Sequence, residues 1–188
     1  TDSQHYYPQM PYYLLPNIGS DDITTEVKSN YILMPVAQAI QQLDSYRDTI
    51  TIKSLLTTTE DAYIENDPEN STWSKSADSE TGAFDLGVSI TETVDDKETQ
   101  IIYFSSASML SSQIDQAISG ANSKLAATAL TSMCDVEQTV VIPSKSTSYT
   151  NLVFTQGAVN TWSIITIAGI PLVLVIVGMA IWMKRRKQ

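Results

Sequence analysis

Residues 83–105 read AFDLGVSITETVDDKETQIIYFS, and their periodicity decides the fold. From Ala83 to Thr91 apolar and polar residues alternate, the signature of a strand with one face covered. Val94 to Glu98 (VDDKE) supplies a polar turn, and residues 99–105 (TQIIYFS) return as another strand. The unbroken run Ile101-Ile102-Tyr103-Phe104 predicts a central strand covered on both faces.

Working outward, residues 49–58 (TITIKSLLTT) are rich in β-branched side chains and predict a further strand. Residues 59–81 form an acidic loop whose single apolar anchor is Trp73. Before these, Tyr31 to Pro35 reads as a short strand, and Val36, Ala37, Ile40 and Leu43 mark one face of a short helix. Residues 1–30 alternate Tyr6, Tyr7, Tyr12 and Tyr13 with Pro8, Pro11 and Pro16, which favours extended segments and turns over helix. Ser20-Asp21-Asp22 could cap a short helix running to Lys28. After Gly120 a helix is expected, capped by Asn122, with Leu125, Ala129, Leu130 and Met133 on its buried stripe. Thr139 to Ile142 is the last strand-like run. Strands alternating with helices predict an α/β layer arrangement, with the helices from 36 and from 120 on opposite faces of the sheet.

Residues 162–183 (WSIITIAGIPLVLVIVGMAIWM) contain no charge, and Lys184, Arg185, Arg186 and Lys187 follow at once. At about 1.5 Å per residue these positions cover roughly 33 Å, close to the hydrocarbon thickness of a bilayer. Trp162 and Trp182 fall near the two rims, where indole rings favour the headgroup layer. Four cations at the foot predict a cytoplasmic C-terminus, and therefore an extracytoplasmic domain before Trp162. The expected organisation is an α/β domain over 1–142, a stalk over 143–161, a transmembrane helix over 162–183 and a basic tail over 184–188. Pro171 lies within the span, where a kink could mark a packing surface or be tolerated without a special role. Gly169 and Gly178 are too far apart for a GxxxG contact, and no sortase-like signal precedes the apolar run.

The chain of 188 residues carries a net charge of −10. Four of its eleven cations lie in the tail, so residues 1–183 hold seven cations against 21 acids, a balance of −14. Such a surface repels nucleic acid and anionic headgroups and keeps an exported domain soluble. Cys134 is the only cysteine, so no intrachain disulfide forms, and a buried or partly buried thiol is expected. The first residues contain neither an initiator Met nor a signal peptide, which makes the C-terminal portion of a longer protein the expected identity of the chain.

Catalytic chemistry finds few of its parts. His5 is the only histidine and stands in an irregular segment without a nucleophile motif. Cys134 follows a helix rather than occupying an activated elbow. Glu65, Asn66, Asp67, Glu69 and Asn70 offer hard oxygen ligands, but their spacing is not that of a calcium loop and Pro68 interrupts it. Asp95, Asp96 and Glu98 read as a polar turn, and Asn70-Ser71-Thr72 fits the glycosylation triplet. No catalytic, cofactor-binding or metal residue is assigned.

The order of pieces resembles the C-terminal half of the gliding-motility-type ABC transporter auxiliary proteins, the GldG-like family. Residues 54–59 (SLLTTT) resemble the family's strand ending in an "LL-T-S" turn, which a variable acidic loop follows. Residues 84–90 (FDLGVSI) and 101–110 (IIYFSSASML) resemble its next two strands, the second usually ending "GDSDF". Gly120-Ala121-Asn122, Val141 to Lys145, and Ile170-Pro171 through Gly178 to Arg185-Arg186 resemble its helix start, its "IrpK" segment and its closing anchor. Ser105, Ser106 and Ser108 depart from the family's glycine and acids. The resemblance implies a flavodoxin-like or amidotransferase-like α/β domain without catalytic residues, anchored beside an ABC permease and its ATPase, with no cofactor. A surface-binding module for carbohydrate or peptide, using Tyr6 to Tyr13, is the alternative expectation, and a membrane-tethered hydrolase a third.

Overall fold

The computed structural model describes residues 1–65, 75–134 and 152–186. Among these residues seven strands form two antiparallel sheets, accompanied by helices, so the fold mixes α and β elements. β1 (Tyr6–Tyr7), β2 (Met10–Leu14) and β4 (Met34–Pro35) make the smaller sheet, in the order β1-β2-β4. β3 (Asn17–Ile18), β5 (Ile50–Thr57), β6 (Asp85–Val94) and β7 (Lys97–Phe104) make the larger, in the order β3-β5-β6-β7. Flavodoxin-like sheets are parallel; every pairing among the described residues is antiparallel, so that finer expectation is not confirmed.

The β6–β7 hairpin closes on two residues, with Val94 paired to Lys97. Asp95 and Asp96 both take positive φ, 51° and 58°, the handedness that matches the twist of the flanking strands and that Asp tolerates better than most residues. Between β5 and β6 the register slips near Leu55, and this irregularity lets the consecutive Leu55 and Leu56 both bury completely.

β7 corrects the prediction of a doubly covered central strand. Among the described residues it is the last strand of its sheet; Ile102 and Phe104 pack on the core while Ile101 and Tyr103 are exposed. A four-residue apolar run does not distinguish a central strand from an edge strand carrying apolar residues outward.

The helix expected from Val36 is absent. Backbone N–H groups of this segment bond outward, Val36 to the Tyr12 carbonyl (2.8 Å), Gln38 to Ser105 (3.4 Å) and Ile40 to Asp85 (2.9 Å). The segment is a coil pinned across the end of the larger sheet, and Leu43 is left exposed. Opposite-face coverage by two helices therefore fails. Near Ser20, the expected cap resolves into an Asp21 turn, whose Oδ1 accepts from the Ile23 amide at 3.0 Å ahead of a single 3₁₀ turn, Thr25–Val27.

α1 (Ser112–Ala117) and α2 (Ala121–Met133) cover the core. Gly120, at φ 83°, reverses the chain between them, and the Asp115 carboxylate accepts from the Ser123 amide (3.0 Å) and hydroxyl (2.6 Å) at the start of α2. Asn122 is thus not the cap. Its side chain is fully buried, accepting from the Leu33 amide (3.1 Å) and donating to the Leu33 and Met109 carbonyls (2.7 and 2.8 Å). Leu125 and Ala129 are buried as expected, whereas Leu130 and Met133 are exposed, because Leu130 stands about 100° around the helix from Ala129 and Met133 lies in the last turn. Cys134 is exposed, contrary to the buried thiol expected. The predicted strand at 139–142, the anchor Trp73, the triplet at Asn70 and the tail residue Lys187 lie outside the described residues.

The C-terminal rod begins inside the segment expected to be a stalk. Thr155 Oγ1 caps α3 (Gln156–Ile164) by accepting from the Ala158 amide at 3.2 Å. One π turn, Ile165–Gly169, leads into α4 (Ile170–Arg186). Proline at 171 has no N–H and its ring presses on the preceding turn; the wider π turn just before it accommodates that change of bonding. Thr166 Oγ1 donates to the Trp162 carbonyl at 2.9 Å, occupying an acceptor in the same stretch.

Candidate binding cleft and membrane anchor

A cleft of about 570 Å³ opens where the two sheets, the pinned coil and the described ends of the acidic loop (residues 62–65 and 80) meet. Leu14 from β2 with Phe84 and Leu86 at the start of β6 supply apolar lining, and Tyr12 and residues 36–39 and 41 contribute another part of the wall. Thr1 and Thr58, with Ala62, Tyr63, Ile64, Glu65 and Glu80, complete it. The last group is held by pairing between residues 62–64 and 80–82: Ile64 donates to the Glu80 carbonyl (2.9 Å), Gly82 to Ala62 (3.0 Å), and Tyr63 bridges Thr81.

The N-terminal segment locks this wall in place. Tyr63 donates to the Thr1 carbonyl at 2.8 Å, and Ser3 Oγ to the Asp61 carbonyl at 2.9 Å. Asp2 is buried and accepts four hydrogen bonds, from the amides of Gln4, His5 and Thr59 and from Thr59 Oγ1, at 2.8–3.0 Å. Burial alone would raise its carboxyl pKa, but these donors outweigh it and hold the group below its ordinary value.

Val36, on the cleft wall, adopts φ 48° although it is β-branched and largely exposed. L-residues with a branched Cβ strongly disfavour that region, so the wall carries local strain of the kind that gathers at functional surfaces. The chemistry offered is two phenols, two carboxamides (Gln38 and Gln41), two carboxylates, two threonines (Thr1 and Thr58) and an aromatic ring, in a volume suited to a small ligand. His5 and Cys134 are not among its lining residues. Among the described residues, no three His, Cys, Asp or Glu side chains converge as a metal-ligand set.

Of the tyrosines singled out in the sequence, only Tyr12 lines the cleft; Tyr6, Tyr7 and Tyr13 pack against the core. Tyr63, Gln38, Gln41 and Glu80 had no sequence signal, since pairing between distant segments alone assembles them.

The rod of 31 residues, Gln156–Arg186, is long and apolar enough to cross a membrane, and none of its most apolar window is buried against the domain. Trp162 and Trp182 are exposed about 30 Å apart along the axis, and Pro171 follows the π turn. Lys184, Arg185 and Arg186 form the final turn, with the Arg186 guanidinium 5.4 Å from the Trp182 ring centroid. No family model, curated protein or solved structure matches the chain.

Proposed function

We propose that the chain is a membrane-anchored binding protein whose domain faces away from the cytoplasm and acts through its cleft rather than by catalysis. The observation that carries the anchor is the unburied apolar rod: so much exposed aliphatic surface is stable only under lipid or an apolar partner. The basic end at Lys184, Arg185 and Arg186 favours a cytoplasmic C-terminus by the positive-inside rule. Tyrosine rings beside carboxamides and carboxylates fit a carbohydrate, or a peptide carrying hydroxyl or amino groups. The test is a glycan and peptide array probed with the full chain in nanodiscs, repeated with Gln38→Ala and Glu80→Gln. Specific capture abolished by both substitutions is expected. Capture indifferent to both, or none at all, refutes the cleft as the binding site.

A second reading, an accessory component of an ABC transport system, rests on the ordered set of family-like segments from 54 to 186. The exposed rod is also the surface that a permease would cover within the bilayer. This reading brings with it a flavodoxin-like sheet, which requires parallel pairings beyond those described. Co-purification with an ATPase and a permease is its expected outcome; isolation of the chain alone from gently solubilised membranes tells against it.

A further inference from the structure

We infer that the Tyr6–Met10 hairpin rests on the zwitterionic headgroup layer of the bilayer, so that the domain sits on the membrane surface instead of standing off on a stalk. The inference builds on the membrane-anchored reading and adds a second, peripheral contact to it.

The first turn of α3 is joined to the N-terminal segment. The Gly157 amide donates to the Gln4 carbonyl at 3.1 Å, and the Gln9 amide donates to Gln156 Oε1 at 3.3 Å. Glycine at 157 eases this approach: a Cβ there would lie 2.6 Å from Gln4 Oε1, 3.3 Å from Gln4 Cβ and 3.4 Å from Gln4 O. Val153, just before the rod, packs against the core.

Height follows from helix geometry. Gln156 is six residues before Trp162, about 9 Å along the axis. With Trp162 at the rim of the hydrocarbon, a headgroup layer of roughly 5–7 Å reaches nearly to the Gln156 level. The hairpin turn, Pro8-Gln9, is bonded at that level, with Gln9 at φ 67°, Met10 exposed and Tyr6 and Tyr7 partly so. Met10, exposed beside the turn, is the side chain placed to cross the remaining gap, with the half-buried Tyr6 and Tyr7 rings behind it. Tyrosine, with an apolar ring and a polar hydroxyl, suits such a layer.

Charge points the same way. Residues 3–20 contain no Asp, Glu, Lys or Arg, in a chain whose first 183 residues balance to −14. The neighbouring acid, Asp2, is buried with its oxygens occupied. An acidic domain thus turns an uncharged, tyrosine-bearing edge toward the place where its anchor enters the lipid. Neutral phosphocholine headgroups suit that edge, and no basic cluster on it would draw anionic lipid.

The test uses the full chain with Cys134→Ser, which frees the background of thiols, in phosphatidylcholine nanodiscs. A fluorophore is attached at Met10→Cys, at Asp96→Cys on the β6–β7 turn, at the opposite end of β6 from the N-terminal segment, or at Val173→Cys in the rod, and quenched by nitroxides on lipid headgroups or acyl chains. Headgroup quenching at position 10 clearly above that at position 96, with acyl-chain quenching at 173, is expected. Quenching at 173 with position 10 no different from 96 overturns the hairpin contact and leaves the anchor standing. Absence of quenching at 173 removes the anchor, and the contact with it.

Discussion

Replacing Asn122 by alanine removes three hydrogen bonds at once from a site with no solvent. The side chain spans α2, the approach to β4 and the turn at Met109, and its loss strands the Leu33 amide, the Leu33 carbonyl and the Met109 carbonyl in the core. A buried hydrogen bond contributes about 1 kcal/mol net, and an orphaned buried partner costs about 1–3 kcal/mol, so a destabilisation of about 3–5 kcal/mol is expected. The cavity left by the carboxamide adds to this, and one entering water would recover part of it. With a urea m-value of about 2 kcal/mol/M for a domain of this size, the midpoint should fall by about 1.5–2.5 M. The assay is urea unfolding of the full chain in nanodiscs, followed by circular dichroism, with Thr128→Ala on the exposed side of α2 as the control. Asn122→Asp should be at least as damaging, because it exchanges two donors for a buried charge. A midpoint for Asn122→Ala within about 0.3 M of the control would refute the bracket as a principal tie between α2 and the sheet.

Acid should weaken the wild type through Asp2. Its folded pKa is depressed, so the stabilisation is fully present above the unfolded value near 3.9 and is lost as pH falls through the folded value; Asp2→Asn should flatten that loss, as measured by urea midpoints from pH 5 down to 2. Gly19→Ala should destabilise by about 2 kcal/mol or more, because the new Cβ would stand 2.5 Å from the Ser54 carbonyl oxygen and backbone there is paired; the melting temperature reports it. Val36→Asn should raise the melting temperature, by relieving about 1 kcal/mol of left-handed strain at an exposed position, and no change would show that the strain is absorbed elsewhere.

What the sequence disclosed was the part written in local pattern. β5, β6 and β7 announce themselves through β-branched residues and a two-aspartate turn, and the rod through composition alone. The segment after Pro35 failed because Val36, Ala37, Ile40 and Leu43 satisfy helical spacing while its N–H groups are claimed by Tyr12, Ser105 and Asp85, partners between 24 residues upstream and 67 residues downstream. Asn122 misled for a related reason, since the polarity that makes asparagine a good cap also makes it a good buried bracket. β7 was placed too deep because burial is set by how many neighbours a strand has, which a run of four apolar letters does not encode. The cleft was invisible for the same cause: Gln38, Tyr63 and Glu80 acquire a shared surface only once separate segments have paired.

The bonded junction at Gln4 and Gly157 ties the globule to the foot of the rod. Transmembrane rods lean by about 20° on average and lean further when the lipid is thin. A rigidly mounted domain must follow that lean, as a mast carries its lamp, so membrane thickness would steer where the binding mouth points. Polarised emission from a dye on Cys134 in aligned bilayers of two thicknesses would register that rotation, and an unchanged signal would mean that the joint gives way.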